Sequence, residues 1–314
     1  MEPRPILSGS TYVISRRVSQ RMYRLRPSKD INQLVLYAAA IAQTRSDVKI
    51  HALCVMSNHY HAIVTDSKGK LPLFTETFNK LIAKALNHLQ KRQENFWAGS
   101  SQVSHVLIGD RPAMLKQMAY VVCNPVEAGL IEKSSDWPGI NLWTPGSRKT
   151  LRPAFYFRTQ EQGGSLPLNA KLTISTPDSM LECDHQAESL KLLKSFIRGQ
   201  ESVIRTKHRE SGRPFLGNLA CKAIDIFDSP KTPFKPNTDE DGDINPKVSC
   251  GSKVIKKKLL KLIEIFVNEY KDCLESLKAG IQDIVFPAGT YRMKACFEHQ
   301  VSEGGLSEAM LGFS

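Results

Sequence analysis

The first half of the chain predicts an α+β sandwich in which one β-sheet carries helices on one face. Its β-rich and amphipathic runs alternate in the order β, α, β, β, α, β, α. Ser57 and Asn58 lie between two adjacent β-rich runs and favour a tight turn, and therefore an antiparallel hairpin. The run at 73–92 has apolar residues at helical spacing along one side, which is typical of a helix that packs on a sheet.

Local patterns justify the first elements in turn. Residues 12–14 are aromatic or β-branched and predict the first strand. Asp30 is a candidate N-cap for a helix with a broad apolar face that ends near Arg45. The runs 50–56 and 60–65 then predict the two strands of the hairpin.

The next three elements complete the predicted sandwich. The helix at 73–92 is followed by a short β-rich run at 103–108, which predicts a fourth strand. Asp110 is a candidate N-cap for a third helix, with Pro112 in its first turn. Because proline lacks a backbone N–H and its ring clashes with the preceding turn, we expect Pro125 to end this helix.

A change of texture after Trp143 predicts two domains, one at 1–146 and a mostly helical extension at 147–314. Within the extension, 186–206 and 254–277 have helical patterns. The stretch near 229–246 is rich in proline and aspartate, and we expect it to be flexible.

Composition excludes several classes of protein. With 41% hydrophobic and 24% charged residues in 314, the chain is neither disordered nor collagen-like. Its longest apolar run, 34–42, is about half of the roughly 20 residues that a membrane helix needs, and the N-terminus lacks a signal-peptide core. Seven scattered cysteines without a C-x-x-C pair indicate neither a disulfide framework nor a zinc knuckle. We therefore expect a cytoplasmic protein without a membrane segment.

Positive charge is concentrated in the first half. The net charge is +12, and residues 1–150 hold 20 of the 43 basic residues but only 10 of the 31 acidic ones. Five arginines lie within eleven residues that contain no acidic residue, namely Arg16, Arg17, Arg21, Arg24 and Arg26. Such a density favours a polyanion as partner. A solvated basic loop is the alternative interpretation.

The stretch Met-Ser-Asn-His-Tyr-His at 56–61 carries the clearest chemical signal. Side chains alternate faces along a strand, so His59 and His61 project from the same face while Tyr60 points away. Two imidazoles can share one metal ion and leave coordination positions open, as catalysis by a metal requires. Paired histidines on an exposed strand are also common without a metal, so a second element is needed.

The third predicted helix supplies a candidate for that element. Tyr120 lies on its polar side, and Asn124 follows one helical turn later, where its amide is a possible third metal ligand. Tyr120 either directs its phenol toward the histidine pair or packs its ring on the sheet with its hydroxyl bonded to the backbone.

Together these motifs resemble a known family. Four motifs are similar, in order and spacing, to those of the HUH single-strand DNA transposases with one catalytic tyrosine. They are His59-Tyr60-His61, Tyr-Val-Val-Cys-Asn-Pro-Val at 120–126, Ala-Gly-Leu at 128–130 and Asp-Trp-Pro at 136–138. The REP-associated tyrosine transposases are the particular group. The resemblance covers about residues 8–145, so the chain is a long form with a C-terminal extension.

The resemblance implies a ferredoxin-like or RRM-like sheet and a transposase domain at 1–146. It implies that His59, His61 and Asn124 hold one divalent ion, Mg²⁺ or Mn²⁺, and that Tyr120 attacks single-stranded or hairpin DNA to form a 5′-phosphotyrosine. The reaction would serve DNA transposition or host-retained repeat processing, by a monomer or homodimer. The five arginines then become candidate DNA contacts, together with Lys80 and Lys84.

Two alternatives stay open at this point. One is a related HUH enzyme for replication initiation or plasmid nicking; the other is a hairpin-binding regulator that no longer cuts. Phe96 and Trp97 are either base-stacking residues or core aromatics, and the core role is favoured. The segments 211–217 and 285–291 are similar to longer members of the family but have no known role.

Overall fold

The computed structural model of the protein describes residues 3–99, 103–152, 156–180, 186–231 and 246–302. The strands are β1 (Ser10–Arg17), β2 (Lys49–Val55), β3 (His59–Asp66), β4 (Ser104–Ile108), β5 (Asn141–Leu142), β6 (Gly146–Leu151), β7 (Ala170–Ile174), β8 (Val248–Ser249), β9 (Val285–Phe286) and β10 (Gln300–Val301). The helices are α1 (Lys29–Ser46), α2 (Leu71–Leu89), α3 (Arg111–Glu127), α4 (Gln186–Glu210), α5 (Asn218–Ala223), α6 (Lys253–Lys278) and α7 (Arg292–Phe297).

The main sheet has the strand order β6-β7-β2-β3-β1-β4-β8, and β5 also pairs with β2. Its centre is antiparallel, with β3 between β2 and β1 and the first residue of β3, His59, opposite Arg17. Among the strands of this sheet that the structure describes, only the pairings β2–β7 and β4–β8 are parallel. The predicted α+β class with an antiparallel sheet is therefore confirmed.

Helices cover both faces of the sheet, which corrects the prediction of helices on one face. Tyr60, Ala62 and Val64 of β3 share an apolar cluster with α1 and α2. Ile63 lies in a second cluster with α3 and α4 on the opposite face. Alternation along β3 requires this result, because both sets of side chains are apolar and each face needs a covering layer.

Two helix signals differ from the prediction. Ser28, not Asp30, caps α1, because its hydroxyl accepts a hydrogen bond from Ile31 N at 3.2 Å. Pro125 lies inside α3, which continues to Glu127, so it does not end the helix. A proline in the last turn costs only one backbone hydrogen bond there, and the helix ends two residues later. Asp110 caps α3 as predicted, with Ala113 N at 2.9 Å.

The extension contributes to the same sheet. β6 and β7 lie in a region whose sequence predicts irregular structure, and β8 pairs with the far edge at β4. The helical patterns at 186–206 and 254–277 correspond to α4 and α6. The division at 146/147 stays a prediction, and strands of the sheet come from both sides of it. Most of the stretch at 229–246 lies outside the described residues.

The C-terminal part of α6 packs against a small unit made of β9, β10 and α7 around the buried Phe286. This unit contacts the start of the chain, because Ile6 N donates to the carbonyl of Gly289 at 3.0 Å. Within the ranges described above, no helix combines the length and hydrophobicity that crossing a membrane would demand.

Candidate active site

Strand β3 places His59 and His61 side by side on the face that α3 covers. Their ring centroids are 4.9 Å apart, with the rings nearly perpendicular. Tyr60 points to the opposite face, where its hydroxyl donates to Asn79 Oδ1 at 3.2 Å. The predicted alternation along the His-Tyr-His motif is therefore what brings the two imidazoles together.

Asn58 orients the first imidazole. Its Oδ1 lies 2.6 Å from His59 Nδ1, and its Nδ2 donates to the carbonyl of Arg21 at 3.1 Å. With the amide oriented this way, Oδ1 accepts from an Nδ1–H, and the Nε2 lone pair of His59 is available as a ligand. His61 Nδ1 is buried and has no hydrogen-bond partner among the described residues.

Both imidazoles are held in the neutral form. Burial is the main cause that lowers the pKa of His59 to about 4, and the positive charge of Arg17 adds to it. Burial also lowers the pKa of His61 well below its ordinary value, with further contributions from His59 and Arg17. A metal ligand must be unprotonated, so at neutral pH no proton competes for these nitrogens.

Helix α3 brings Tyr120 to the histidine pair. The Tyr120 and His61 ring centroids are 5.3 Å apart, and Tyr120 remains 48% exposed. The sequence leaves two orientations open for Tyr120, and the structure has the one in which its ring meets the histidine pair. Burial of part of the ring raises the pKa of Tyr120, while a hydrogen bond with Asn124 opposes that shift.

Asn124 connects the two halves of the site. Its side chain lies close enough to both His59 and Tyr120 to oppose the effect of burial on each, raising the pKa of the imidazole and lowering that of the phenol. This is possible because α3 stays helical through Pro125, which keeps Asn124 one turn beyond Tyr120 on the same side. The structure thus brings together all four residues predicted for the site: His59, His61, Tyr120 and Asn124.

This donor set fits a divalent cation. It offers two neutral imidazoles, one with a buried unpartnered nitrogen, and an amide whose oxygen can serve as a hard ligand. Across the described ranges, no group of three or more His, Cys, Asp or Glu residues forms a closed metal site. An ion held by so few protein ligands keeps positions open for water or substrate oxygens.

The arginine cluster is divided between the two faces of the sheet. Arg17 is exposed and pairs with His59 across the β1–β3 ladder, so its charge lies at the histidine face. Arg16 lies on the opposite face, where its guanidinium is 5.4 Å from the Trp97 ring centroid. Arg21 and Arg26 lie in the loop after β1, partly exposed, and Arg26 donates to the carbonyl of Ile224 at 2.7 Å.

Arg24 is a structural residue, which corrects its assignment as a DNA contact. It is 1% exposed, and its guanidinium donates to Asn87 Oδ1 at 2.6 Å and to Gln90 Oε1 at 2.7 Å. It also lies 4.5 Å from the centroid of the Phe96 ring. A guanidinium with these partners anchors the loop to the end of α2 and cannot reach a phosphate without breaking them.

Other predicted contacts lie away from the histidines. Lys80 and Lys84 are exposed on α2, which covers the opposite face of the sheet. Phe96 and Trp97 are both buried, and Trp97 Nε1 donates to the carbonyl of Asn79 at 3.0 Å. The core role of this aromatic pair therefore holds, and base stacking by it is excluded.

Sequence reasoning missed the support that the extension provides for α3. Leu216 N donates to the carbonyl of Gly129 at 3.0 Å, and Gly217 N to that of Leu130 at 2.9 Å. These contacts join the segment at 211–217 to the turn just after α3. The segment at 211–217 and the Ala-Gly-Leu motif at 128–130 can each be recognised in the sequence. A contact between segments more than 80 residues apart, however, leaves no periodic signal in one sequence.

Helix α4 packs along α3 in the same cluster. Leu193, Ile197 and Ile204 are its buried apolar residues. Glu201 accepts a hydrogen bond from Ser134 N at 2.8 Å. The extension therefore packs directly against the tyrosine-bearing helix.

Comparisons with known proteins find distant structural likenesses only. A REP-associated tyrosine transposase, solved bound to a REP hairpin, is 20% identical over 44% of this chain and 80% of that one, with a TM-score of 0.38. A proposed transposase from Deinococcus radiodurans R1 is 14% identical over 36% of this chain and 88% of its own, with a TM-score of 0.26. No protein-family model matches the sequence, and no curated protein matches it. Neither likeness is close enough to place the chain in a family.

Proposed function

We propose that this protein is a metal-dependent DNA transposase of the HUH type, which cleaves and rejoins single-stranded or hairpin DNA through Tyr120. One observation carries the proposal. The half-exposed ring of Tyr120 lies 5.3 Å from the ring of His61, one of two adjacent neutral imidazoles, and Asn124 influences the pKa of both His59 and Tyr120. The motif resemblance supplies the reaction class, and the geometry is consistent with it.

His59, His61 and Asn124 are the residues that would hold the cation. Bound there, Mg²⁺ or Mn²⁺ supplies Lewis-acid polarisation of a phosphate oxygen and stabilises charge that develops on the attacking oxygen. Two imidazole ligands favour Mn²⁺ over Mg²⁺ in affinity, because Mg²⁺ prefers all-oxygen sites.

Tyr120 is the nucleophile in this proposal. Its phenolic oxygen forms a bond to the scissile phosphorus, and the bond from phosphorus to the 3′ oxygen of the preceding nucleotide breaks. The phenol loses its proton, and the departing oxygen gains one, which leaves a 5′-phosphotyrosine and a free 3′-OH. The number of phosphodiester bonds is unchanged, so attack by another 3′-OH can rejoin the strand.

The surroundings of Tyr120 explain why it needs help to react. Partial burial raises the pKa of the phenol, so at neutral pH it is protonated and a weak nucleophile. Asn124 lowers that pKa through its hydrogen bond, and Arg17 adds positive charge beside the histidines. In this proposal Arg17 also contacts the DNA backbone, where each neutralised phosphate releases counterions.

A cleavage assay tests the proposal. Labelled single-stranded hairpins from DNA that flanks the gene are incubated with the protein and Mn²⁺ or Mg²⁺, and products are separated on a denaturing gel. We expect cleavage that needs the metal and stops on chelation. A transposase and an HUH nicking enzyme differ in substrate, so cleavage confined to a replication-origin or plasmid sequence would favour the nicking enzyme. Tight hairpin binding without any cleavage would favour the regulator.

A further inference from the structure

We propose that residues 217–228 of the extension form part of the path of the single strand, and that Phe227 stacks on an unpaired base at the end of the sheet where the histidine pair lies. The inference rests on the proposed function for the class of ligand, which is single-stranded DNA. It assigns a role to a segment that lies outside the motifs of the first half.

The segment spans the two sides of the site. At one end, Gly217 N donates to the carbonyl of Leu130, and Asn218 Nδ2 donates to that of Asp136 at 2.8 Å, so it is fixed to the end of the Tyr120 helix. At the other end, Tyr23 N donates to the carbonyl of Asp228 at 2.9 Å. Residues 217–228 therefore connect α3 to the loop that carries Arg21 and Arg26.

That loop is in turn fixed to the turn that begins the histidine strand. Leu25 N donates to the carbonyl of Ser57 at 2.8 Å, and Asn58 Nδ2 donates to that of Arg21 at 3.1 Å. Asn58 also orients His59. Phe227 is thus placed at the end of the sheet where the histidine pair lies.

Phe227 is unusual among the aromatic residues of this region. It is 46% exposed, whereas Phe96 and Trp97 are buried. The Arg92 guanidinium lies 5.5 Å from the centroid of the Phe227 ring. The backbone N–H of Phe227 donates a hydrogen bond to Asp225 Oδ1 at 2.9 Å, which holds the backbone at this position. An exposed, backbone-anchored aromatic ring with a cation near it suits stacking on a base.

The charges around the ring favour a base over a phosphate. Asp225 and Asp228 flank Phe227, and Arg92 is already paired with Glu94 at 2.9 Å. Phosphate contacts would instead come from Arg17, Arg21 and Arg26 on the neighbouring loop and strand. This division matches single-strand recognition, in which basic side chains follow the backbone while aromatic rings stack on bases.

The test measures binding separately from cleavage. In a Tyr120→Phe background, which keeps the DNA intact, a fluorescent hairpin with a single-stranded tail is titrated and followed by anisotropy. We expect Phe227→Ala to weaken binding about 5- to 150-fold, as loss of one stacked base does, and Phe227→Trp to retain it. The matched control is Phe297→Ala, since Phe297 is 56% exposed and has Arg292 6.0 Å from its ring. The control should bind like its parent.

Abasic substitutions along the tail locate the stacked base. One position should weaken binding by the parent protein and have no further effect on Phe227→Ala. Binding by Phe227→Ala equal to that of the parent would overturn the inference. So would a change in sedimentation caused by Phe227→Ala, because the ring would then cover a second copy of the chain.

Failure of the two proposals is distinguishable. A protein that never cleaves but shows the Phe227 dependence retains the stacking site and loses the transposase assignment. A protein that cleaves through Tyr120 while Phe227→Ala binds normally retains the transposase assignment and loses the stacking site.

Discussion

His51 and the pair His59–His61 are all histidines of the central sheet with low pKa values, yet their surroundings differ. His51 is completely buried, and both of its ring nitrogens have partners, Ser175 O at 2.8 Å and Thr65 Oγ1 at 2.7 Å. His61 has a buried nitrogen with no partner in the described part of the chain, and it faces a tyrosine. Burial lowers the pKa of His51 to about 4 just as it does for His59.

The comparison teaches that a depressed pKa does not by itself mark a functional histidine. His51 is satisfied, so it stabilises the contact between the sheet and the extension. In the pair, His61 Nδ1 has no partner among the described residues, and both imidazoles are neutral, which is the condition for binding a cation.

Tyr120→Phe should reduce cleavage by at least roughly 10⁴-fold, because it removes the oxygen that attacks phosphorus. The readout is product formation on the denaturing gel. The matched control is Tyr156→Phe, because the ring of Tyr156 packs against His88 and Phe157 in another part of the structure. Cleavage by Tyr120→Phe at the wild-type rate would remove Tyr120 as nucleophile.

Replacing both His59 and His61 by alanine should reduce cleavage to the level seen without metal and abolish Mn²⁺ binding in calorimetry. Thermal stability should fall only modestly, because His59 loses one hydrogen bond, to Asn58, while His61 Nδ1 has no partner among the described residues to lose. Mn²⁺ binding that survives in the double variant would place the cation elsewhere.

His51→Ala should have the opposite pattern. It leaves Ser175 O and Thr65 Oγ1 without their buried partner, so we expect a loss of about 1–3 kcal/mol in the free energy of unfolding. Cleavage per folded molecule should be unchanged at a temperature where the variant is folded. Normal stability, measured by urea unfolding, would contradict the structural role of His51.

Acid should destabilise the protein between about pH 6.5 and pH 4. Unfolded imidazoles bind protons below pH 6.5, whereas His51, His59 and His105 have folded pKa values of about 4. The unfolded state therefore takes up more protons in this window, and stability falls by about 1.4 kcal/mol per pH unit for each such histidine. Stability that stays constant from pH 6.5 to 4.5, measured by urea unfolding, would contradict the neutral buried histidines.

Arg17→Gln should weaken DNA binding modestly and reduce the slope of log affinity against log salt by about 1. Arg24→Gln is the contrasting variant, because its guanidinium is occupied by Asn87 and Gln90. It should lower stability and leave the salt slope unchanged. Equal slopes for wild type and Arg17→Gln would remove Arg17 from the DNA surface.

The centre of the fold and the four site residues could be predicted because their signals are local. Alternation along β3 placed His59 with His61, and helical spacing placed Asn124 one turn from Tyr120. The fate of the arginines could not be predicted in this way. Arg17 and Arg24 have the same side chain, and only tertiary contacts with α2 make one of them structural. Phe227 was missed for a related reason, since its relation to the site depends on contacts with residues about 200 positions earlier in the chain.

The most direct test of the central claim is mass spectrometry of the protein after reaction with hairpin DNA and Mn²⁺. We expect a peptide containing Tyr120 that carries a 5′-phosphorylated DNA fragment, absent after chelation and absent in the His59/His61 double variant. Metal-dependent cleavage with the 5′ phosphate free in solution, or joined to a different residue, would contradict it.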